Sequence, residues 1–358
     1  MMLLPGKFLA AVVAAGFLSG CSTLGYYWQS VSGHMQMLNA ARPVPDVLAD
    51  PQTPSGLKAR LELSQRIRSF AASDLKLPDN ASYKRYADLR RSAVVWNVVA
   101  APEFSLTLKT WCFPVAGCVG YRGYFSEAEA RKLAGEIKLD GLEVNVYGVP
   151  AYSTLGKLDW LGGDPLLNTF IYYPEGELAR LIFHELAHQV VYAADDTMFN
   201  ESFATAVERL GGQRWLASRA SQTAKNDYVA FDTRRQQFRA LTAATRRDLN
   251  QVYLSNTPFN PEKQAQAALK IIVMQKFRAD YEQLKKSWGG ASVPGYDAWV
   301  ARANNASFGA QAAYDELVPG FEALFEAGGK DWQQFYDAVR KLAQLPKHER
   351  HQALATEK

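Results

Sequence analysis

ELARLIFHELAHQVVYAADDTMFNESFATAVERL, residues 177–210, decides how this 358-residue chain is read. At its centre stands His184-Glu185-Leu186-Ala187-His188, an H-E-x-x-H pentad. If that segment is helical, the two histidines stand one turn apart on one face and aim two imidazoles at a single ion. Glu185 sits beside that face, where a carboxylate takes a proton from an attacking water. Thirteen residues beyond His188, Glu201 in Asn200-Glu201-Ser202-Phe203-Ala204 offers a third ligand from a second helix. Three protein ligands with one open position mark a catalytic zinc, whereas four close a structural one.

The signal is specific. The chain has five histidines, His34, His184, His188, His348 and His351, so chance would produce the pentad in only about a few of a thousand such chains. Leu178, Leu181, Ile182, Leu186, Ala187 and Val190 form a wide apolar surface, which predicts a buried helix with its histidines in an internal cleft. A core helix with two hydrogen-bonded histidines is the plainer alternative, and the following Asn-Glu-x-x-Ala argues against it.

The amino-terminal segment has Lys7, an apolar run over residues 8–18, then Leu18-Ser19-Gly20-Cys21. The run is too short to span a bilayer and reads as a secretory signal over residues 1–20. Leu-Ser-Gly-Cys resembles the lipobox of bacterial lipoproteins, which implies cleavage before Cys21 and acylation of that cysteine. Acyl chains anchor a protein without spanning the bilayer. Because residue 22 is Ser and not Asp, analogy with enteric lipoproteins points to the outer membrane, with the protein facing the periplasm. Cys112 and Cys118 then remain as one pair, and in an oxidising compartment they read as a disulfide closing WCFPVAGC. Metal binding by these two competes, but no third soft ligand lies nearby.

A formal charge of +4 over 40 basic and 36 acidic residues gives no reason to expect nucleic acid as a partner. At 48% hydrophobic residues, the mature chain can bury a large core. Residues 21–55, with four prolines and the Tyr26-Tyr27-Trp28 cluster, read as a tether to the membrane. Residues 56–358 then make the folded domain. Residues 57–75 and 81–91 are expected as helices, and residues 93–100, 105–111, 119–125, 142–147 and 168–173 as strands. Ser126 caps a helix, with Glu129 completing a capping box. The expected architecture is α+β and mostly helical. A small sheet within residues 92–173 precedes the metal helices at 177–211, and a C-terminal helical lobe spans 224–343. Residues 347–358, with His348 and His351, read as a solvated tail.

Taken with GVPAYSTLG at 148–156, Asp164-Pro165, Asn304-Asn305-Ala306, Tyr314 and Val318-Pro319, the pentad and the Asn-Glu-x-x-Ala element resemble a family of bacterial lipoproteins described as predicted aminopeptidases. The resemblance spans nearly the whole mature chain. It implies a zincin-like sheet beside the H-E-x-x-H helix, an edge strand that pairs with substrate, Zn²⁺ as cofactor and a peptide substrate. More distantly, Asn200-Glu201-x-x-Ala is similar to the glutamate-ligand element of thermolysin and of the large zinc aminopeptidases. The chain departs from those relatives in its shorter connection from His188 to Glu201 and in lacking a G-x-M-E-N exopeptidase motif.

The expected site is therefore His184, His188 and Glu201 as metal ligands and Glu185 as acid–base. Tyr152 is the first candidate for stabilising the oxyanion and Tyr314 the second. Thr205 stands where thermolysin-like enzymes place an aspartate, so Glu208 or Asp195 is expected to orient an imidazole. Asn200, Asn304 and Asn305 are candidate substrate or supporting residues, with helix capping as the plainer role for the last two. Two other functions use the same residues: an envelope metalloendopeptidase, and a non-catalytic lipoprotein that keeps its zinc site for stability.

Overall fold

In the computed structural model, residues 25–113, 117–156, 159–254, 262–312 and 316–355 are described. The chain opens with helix α1 over residues 25–40, followed by β1 (Arg42–Pro43), α2 (Val44–Ala49) and α3 (Ser55–Leu75). The sheet-bearing part comprises β2 (Arg85–Ala87), β3 (Val95–Ala101), β4 (Trp111–Phe113), β5 (Gly117–Val119), β6 (Arg122–Tyr124), α4 (Glu127–Leu139), β7 (Glu143–Val149) and β8 (Leu166–Leu167). Then follow α5 (Glu175–Ala187), α6 (Thr197–Ser218), α7 (Gln222–Leu254), α8 (Glu262–Ser287), α9 (Pro294–Arg302), α10 (Asn305–Ala312), α11 (Val318–Ala327), α12 (Trp332–Ala343) and α13 (Lys347–Leu354). The molecule is mostly helical with small sheets. No helix of the described residues is long and apolar enough to cross a membrane.

β3 is the centre of the largest sheet, antiparallel to β6 on one side and β7 on the other. Its alternation explains why. Val98 and Ala100 pack with Ala130, Ala134 and Ile137 of α4, while Val99 and Ala101 meet Ala306 of α10. A strand covered on both faces suits the VWNVVAA run of this segment, apolar except for Asn97. Ser126 accepts from the amide of Glu129 and so starts α4 where its sequence predicts.

The main core lies under α5 and α6 and is closed by α2, α3, α11, α12 and α13. Gly211 and Gly212 sit within α6, a costly place for glycine. A Cβ there would meet Leu75 at 2.7 Å and Arg180 at 2.8 Å respectively, so the pair lets α6 close on α3 and α5. A second core, with Phe238, Phe277, Tyr281 and Phe308, holds α7 to α10 together.

Several expectations fail, most of them for a tertiary reason. The tether predicted over 21–55 is folded from residue 25 onward, because Met37, Val44 and Val47 are buried in the main core. The helix expected over 81–91 is instead β2, held between β1 and β8 by a ladder that outweighs its local pattern. Residues 105–110 form no strand, and a single ladder-like bond from the amide of Lys109 to Ala100 holds them. Residues 168–173 turn instead of extending, since the amides of Phe170 and Ile171 both bond back to the Leu167 carbonyl. The expected lobe 224–343 divides, with α11 and α12 joining the main core. Residues 347–354 form a helix, not a frayed tail. Leu354 is in the core, and Arg350 and His351 both bond to the buried Asp196.

Candidate metal centre

Two local devices set the ligand geometry. α5 presents His184 and His188 one turn apart and ends there, the amide of Val190 bonding back to the Ala187 carbonyl. Asn200 then clasps the connection, accepting from the amide of Ala193 and donating to its carbonyl, both at 2.8 Å. Asp196 caps α6 by accepting from the amide of Phe199. Thus a connection of only twelve residues, 189–200, turns the chain back so that Glu201 faces both imidazoles. Asn200 is part of the scaffold, not of the site lining.

The three ligand atoms form a tight triangle. His184 Nε2 lies 3.2 Å from His188 Nε2 and 3.3 Å from Glu201 Oε2, and His188 Nε2 lies 3.7 Å from the same oxygen. Zinc bonds of about 2.0–2.2 Å at tetrahedral angles require ligand–ligand edges of about 3.3–3.6 Å. The donor set, two imidazoles and a carboxylate, is also one that zinc takes. The residues present therefore fit the ion. They are the one group of three or more potential ligands so gathered among the described residues.

Behind the triangle runs a chain of alternating charges. His184 Nδ1 donates to Glu208 Oε2 at 3.1 Å, which turns Nε2 toward His188 and Glu201. Glu208 pairs with Arg180, and Arg180 also reaches Asp232 at 3.2 Å. Asp232 meets Arg235 at 2.7 Å, and Arg235 meets Glu177 at 2.6 Å. Glu208 is seven residues from Glu201 and Arg180 four before His184, helical spacings that put each on its ligand's own face. Asp195, the other candidate for orienting an imidazole, accepts from the amide of Cys118 at 2.5 Å and lies on a different wall.

The electrostatics follow from burial among these charges. Burial pushes the Glu201 carboxyl up, but the two imidazoles outweigh it and bring the group down to about 2. Burial likewise opposes the charge on Glu208, yet Arg180 and His184 hold its carboxyl well below the usual range. His184 is disfavoured as a cation by burial, but Glu201 and Glu208 raise it well above 6.5. Glu185 is raised by burial despite the nearby histidines, as suits a group that must both take and return a proton.

All four residues line a cavity of about 580 Å³ between α5 and the β3 sheet. Val95 and Asn97 of β3 and the segment after β7, including Tyr152, form its other walls. Tyr152 packs its ring on Phe125 and on the buried His34, and burial, then Asp164, pushes its hydroxyl up to about 12. Tyr121 and Tyr192 line the same cavity, and after burial it is the charge of Glu201 that raises each of them. Their hydroxyls are thus electrostatically tied to the ligand set, whereas Tyr152 answers to Asp164. Tyr192 follows His188 by four residues, a spacing that could have flagged it; Tyr121 sits between β5 and β6 with no local signal.

Other sequence-predicted residues lie elsewhere. Asn304 caps α10, accepting from the amide of Ser307 at 3.0 Å and donating to the Val144 carbonyl. Asn305 donates to the carbonyls of Pro102 and Glu103 and accepts from Tyr253, tying α10 to the end of β3. Neither lines the cavity, so both are scaffold and not substrate contacts. Tyr314 and Cys21 lie outside the described residues. Cys112 and Cys118 are joined by a disulfide across the β4–β5 hairpin.

The family model described as "Putative aminopeptidase" matches residues 25–354, which takes in the sheet, the ligand helices and α13. The chain belongs to that family. Its first matched residue coincides with the start of α1, and the match contains every member of the ligand triangle. Comparisons with curated proteins and with solved structures return no match.

Proposed function

We propose that this aminopeptidase-family chain is a zinc metallopeptidase of the bacterial cell envelope, tethered to the membrane by lipid on Cys21. The ligand triangle carries the reading. Two imidazoles and a carboxylate sit at zinc-compatible separations, with Glu185 in the same cavity and the His184 ring held by Glu208. Zinc bound there supplies Lewis acidity, polarising a peptide carbonyl and making a water acidic near neutrality. Glu185 takes the proton from the attacking water and returns it to the leaving amine. Tyr121 or Tyr192, which line the same cavity as Glu185 and the ligand triangle, is the donor to the developing oxyanion in this reading. Glu208 keeps the His184 proton on Nδ1, and Arg180 keeps Glu208 ionised.

Anchoring and export rest on the sequence: the short apolar leader, Leu18-Ser19-Gly20-Cys21, and a disulfide that suits an oxidising compartment. Aminopeptidase action is tested by incubating the soluble mature protein with peptides bearing free or acetylated amino termini. The reading expects one-residue-at-a-time loss from free termini only. Internal cleavage of acetylated peptides would make the protein an endopeptidase, and no cleavage of either would make the site non-catalytic.

A further inference from the structure

A second cavity, of about 690 Å³, adjoins the first, with Arg235 and Arg239 standing in the walls of both. Its body is aromatic: Phe238 lies 4.5 Å from Tyr296 and 5.3 Å from Trp299, centroid to centroid. Its charge is of one sign. Arg234, Arg235, Arg239 and Arg302 line it, and no aspartate or glutamate does. Arg235 is held by Glu177 and Asp232, but among the described residues neither Arg234 nor Arg302 has an ion pair. Two polar atoms in its wall, Arg235 Nε and Gln311 Oε1, are buried without a hydrogen-bond partner among the described residues. The Tyr296 hydroxyl in this wall is raised by burial, with Arg235 opposing and Glu177 adding to that rise, and with smaller opposing effects from Arg239 and Arg234.

An apolar pocket with a cationic lining fits a ligand with an apolar body and a terminal anion. We infer that the α7–α9 cavity binds the apolar, carboxylate-bearing end of a short peptide whose scissile bond lies at the His184–His188–Glu201 triangle. The substrates are then oligopeptides with free carboxyl termini, not long chains. The inference rests on the peptidase reading for which bond is cut, while the pocket's ligand preference stands apart from catalysis.

The test is equilibrium binding of Leu-Ala-Phe, its carboxyl-terminal amide and Leu-Ala-Ser to zinc-loaded Glu185→Gln protein, by calorimetry. Charge-assisted bonds to a carboxylate predict that the free acid binds about tenfold to a hundredfold tighter than the amide. Leu-Ala-Ser is expected to bind more weakly than Leu-Ala-Phe, since it leaves the aromatic floor unfilled. The double variant Arg234→Gln/Arg302→Gln, added to Glu185→Gln, should shrink the acid–amide gap and leave amide affinity and zinc content unchanged. Trp299→Ala should weaken acid and amide together. Equal binding of acid and amide, no binding of either, or a gap that survives the double variant with an unaltered melting curve would each overturn the proposal. Repeating the titration on chelator-treated protein separates the two readings. If the wild type cleaves nothing yet the acid–amide gap persists without zinc, the peptidase reading has failed and the pocket has not.

Discussion

The two ends of the α5–α7 seam are charged in opposite senses. At the carboxyl end of α5, Glu185, Glu201 and Glu208 surround two imidazoles and make a place for a cation. At the α7–α9 end, four arginines line a cavity with an aromatic floor, the place proposed for a carboxylate. The alternating chain from Glu208 through Arg180, Asp232 and Arg235 to Glu177 joins them without leaving a buried charge unopposed. The contrast teaches how the proposed substrate, with its scissile bond at one pole and its carboxylate at the other, would be oriented: the poles differ in sign, so only one direction of binding would satisfy both.

The comparison breaks most visibly at the candidate metal centre. Glu185→Gln should keep its zinc and lose hydrolysis by about 10²–10⁴-fold, the usual share of a general acid–base. Parallel measurement of zinc content and kcat/KM checks it. Arg180→Met cuts the joining chain. With its side chain 3% exposed, Arg180 when removed leaves the buried Glu208 with only the His184 imidazole opposite it, while Asp232 keeps Arg235, at a cost of about 3 kcal/mol in denaturant unfolding. Glu208→Gln is the milder cut, which should retain the fold and weaken zinc binding by about 10–100-fold in a chelator competition.

Away from both poles, Asn305→Ala removes bonds to two carbonyls and to Tyr253 and should cost about 2 kcal/mol with kcat/KM unchanged. A loss of activity without a loss of stability would return Asn305 to the site. The smallest effect concerns pH. Burial raises Asp164 to about 6 from an ordinary 3.8, so the folded state binds more protons between those values and this group lowers stability as pH rises through them. Asp164→Asn should therefore raise the melting temperature at pH 7.5 by a few degrees and hardly change it at pH 4, as a scan at the two pH values would show. Glu201 works the other way in metal-free protein. Its carboxyl is depressed to about 2, so its contribution is present above 4.5 and is lost as pH falls toward 2.

How much was legible follows the range of the interactions. The ligand set, the α4 cap and strands β3 and β7 are written in local spacing. Glu208 was a candidate because Thr205 stands where thermolysin-like enzymes place an aspartate; its spacing of two helical turns from Glu201, like that of Arg180 one turn before His184, is equally local. The turn at 168–173 is local, with Phe170 and Ile171 bonding back to the nearby Leu167 carbonyl against the strand composition of the stretch. β2 and α13 escaped because their states are set by distant partners, β8 for Tyr86 and Asp196 for Arg350 and His351. Tyr121 and the arginine pocket escaped for the same reason. Their residues are gathered from the β5–β6 turn, α7 and α9, and no single stretch carries the pattern.

The central claim is that His184, His188 and Glu201 hold one zinc ion. Elemental analysis of purified wild-type, Glu185→Gln, His188→Ala and Glu201→Ala proteins, each with its circular dichroism spectrum, tests it directly. The account predicts one zinc per chain in the first two and almost none in the last two, with the helical spectrum retained in all four. Wild-type protein that takes up no zinc, or ligand variants that hold it as well as the wild type, would contradict it.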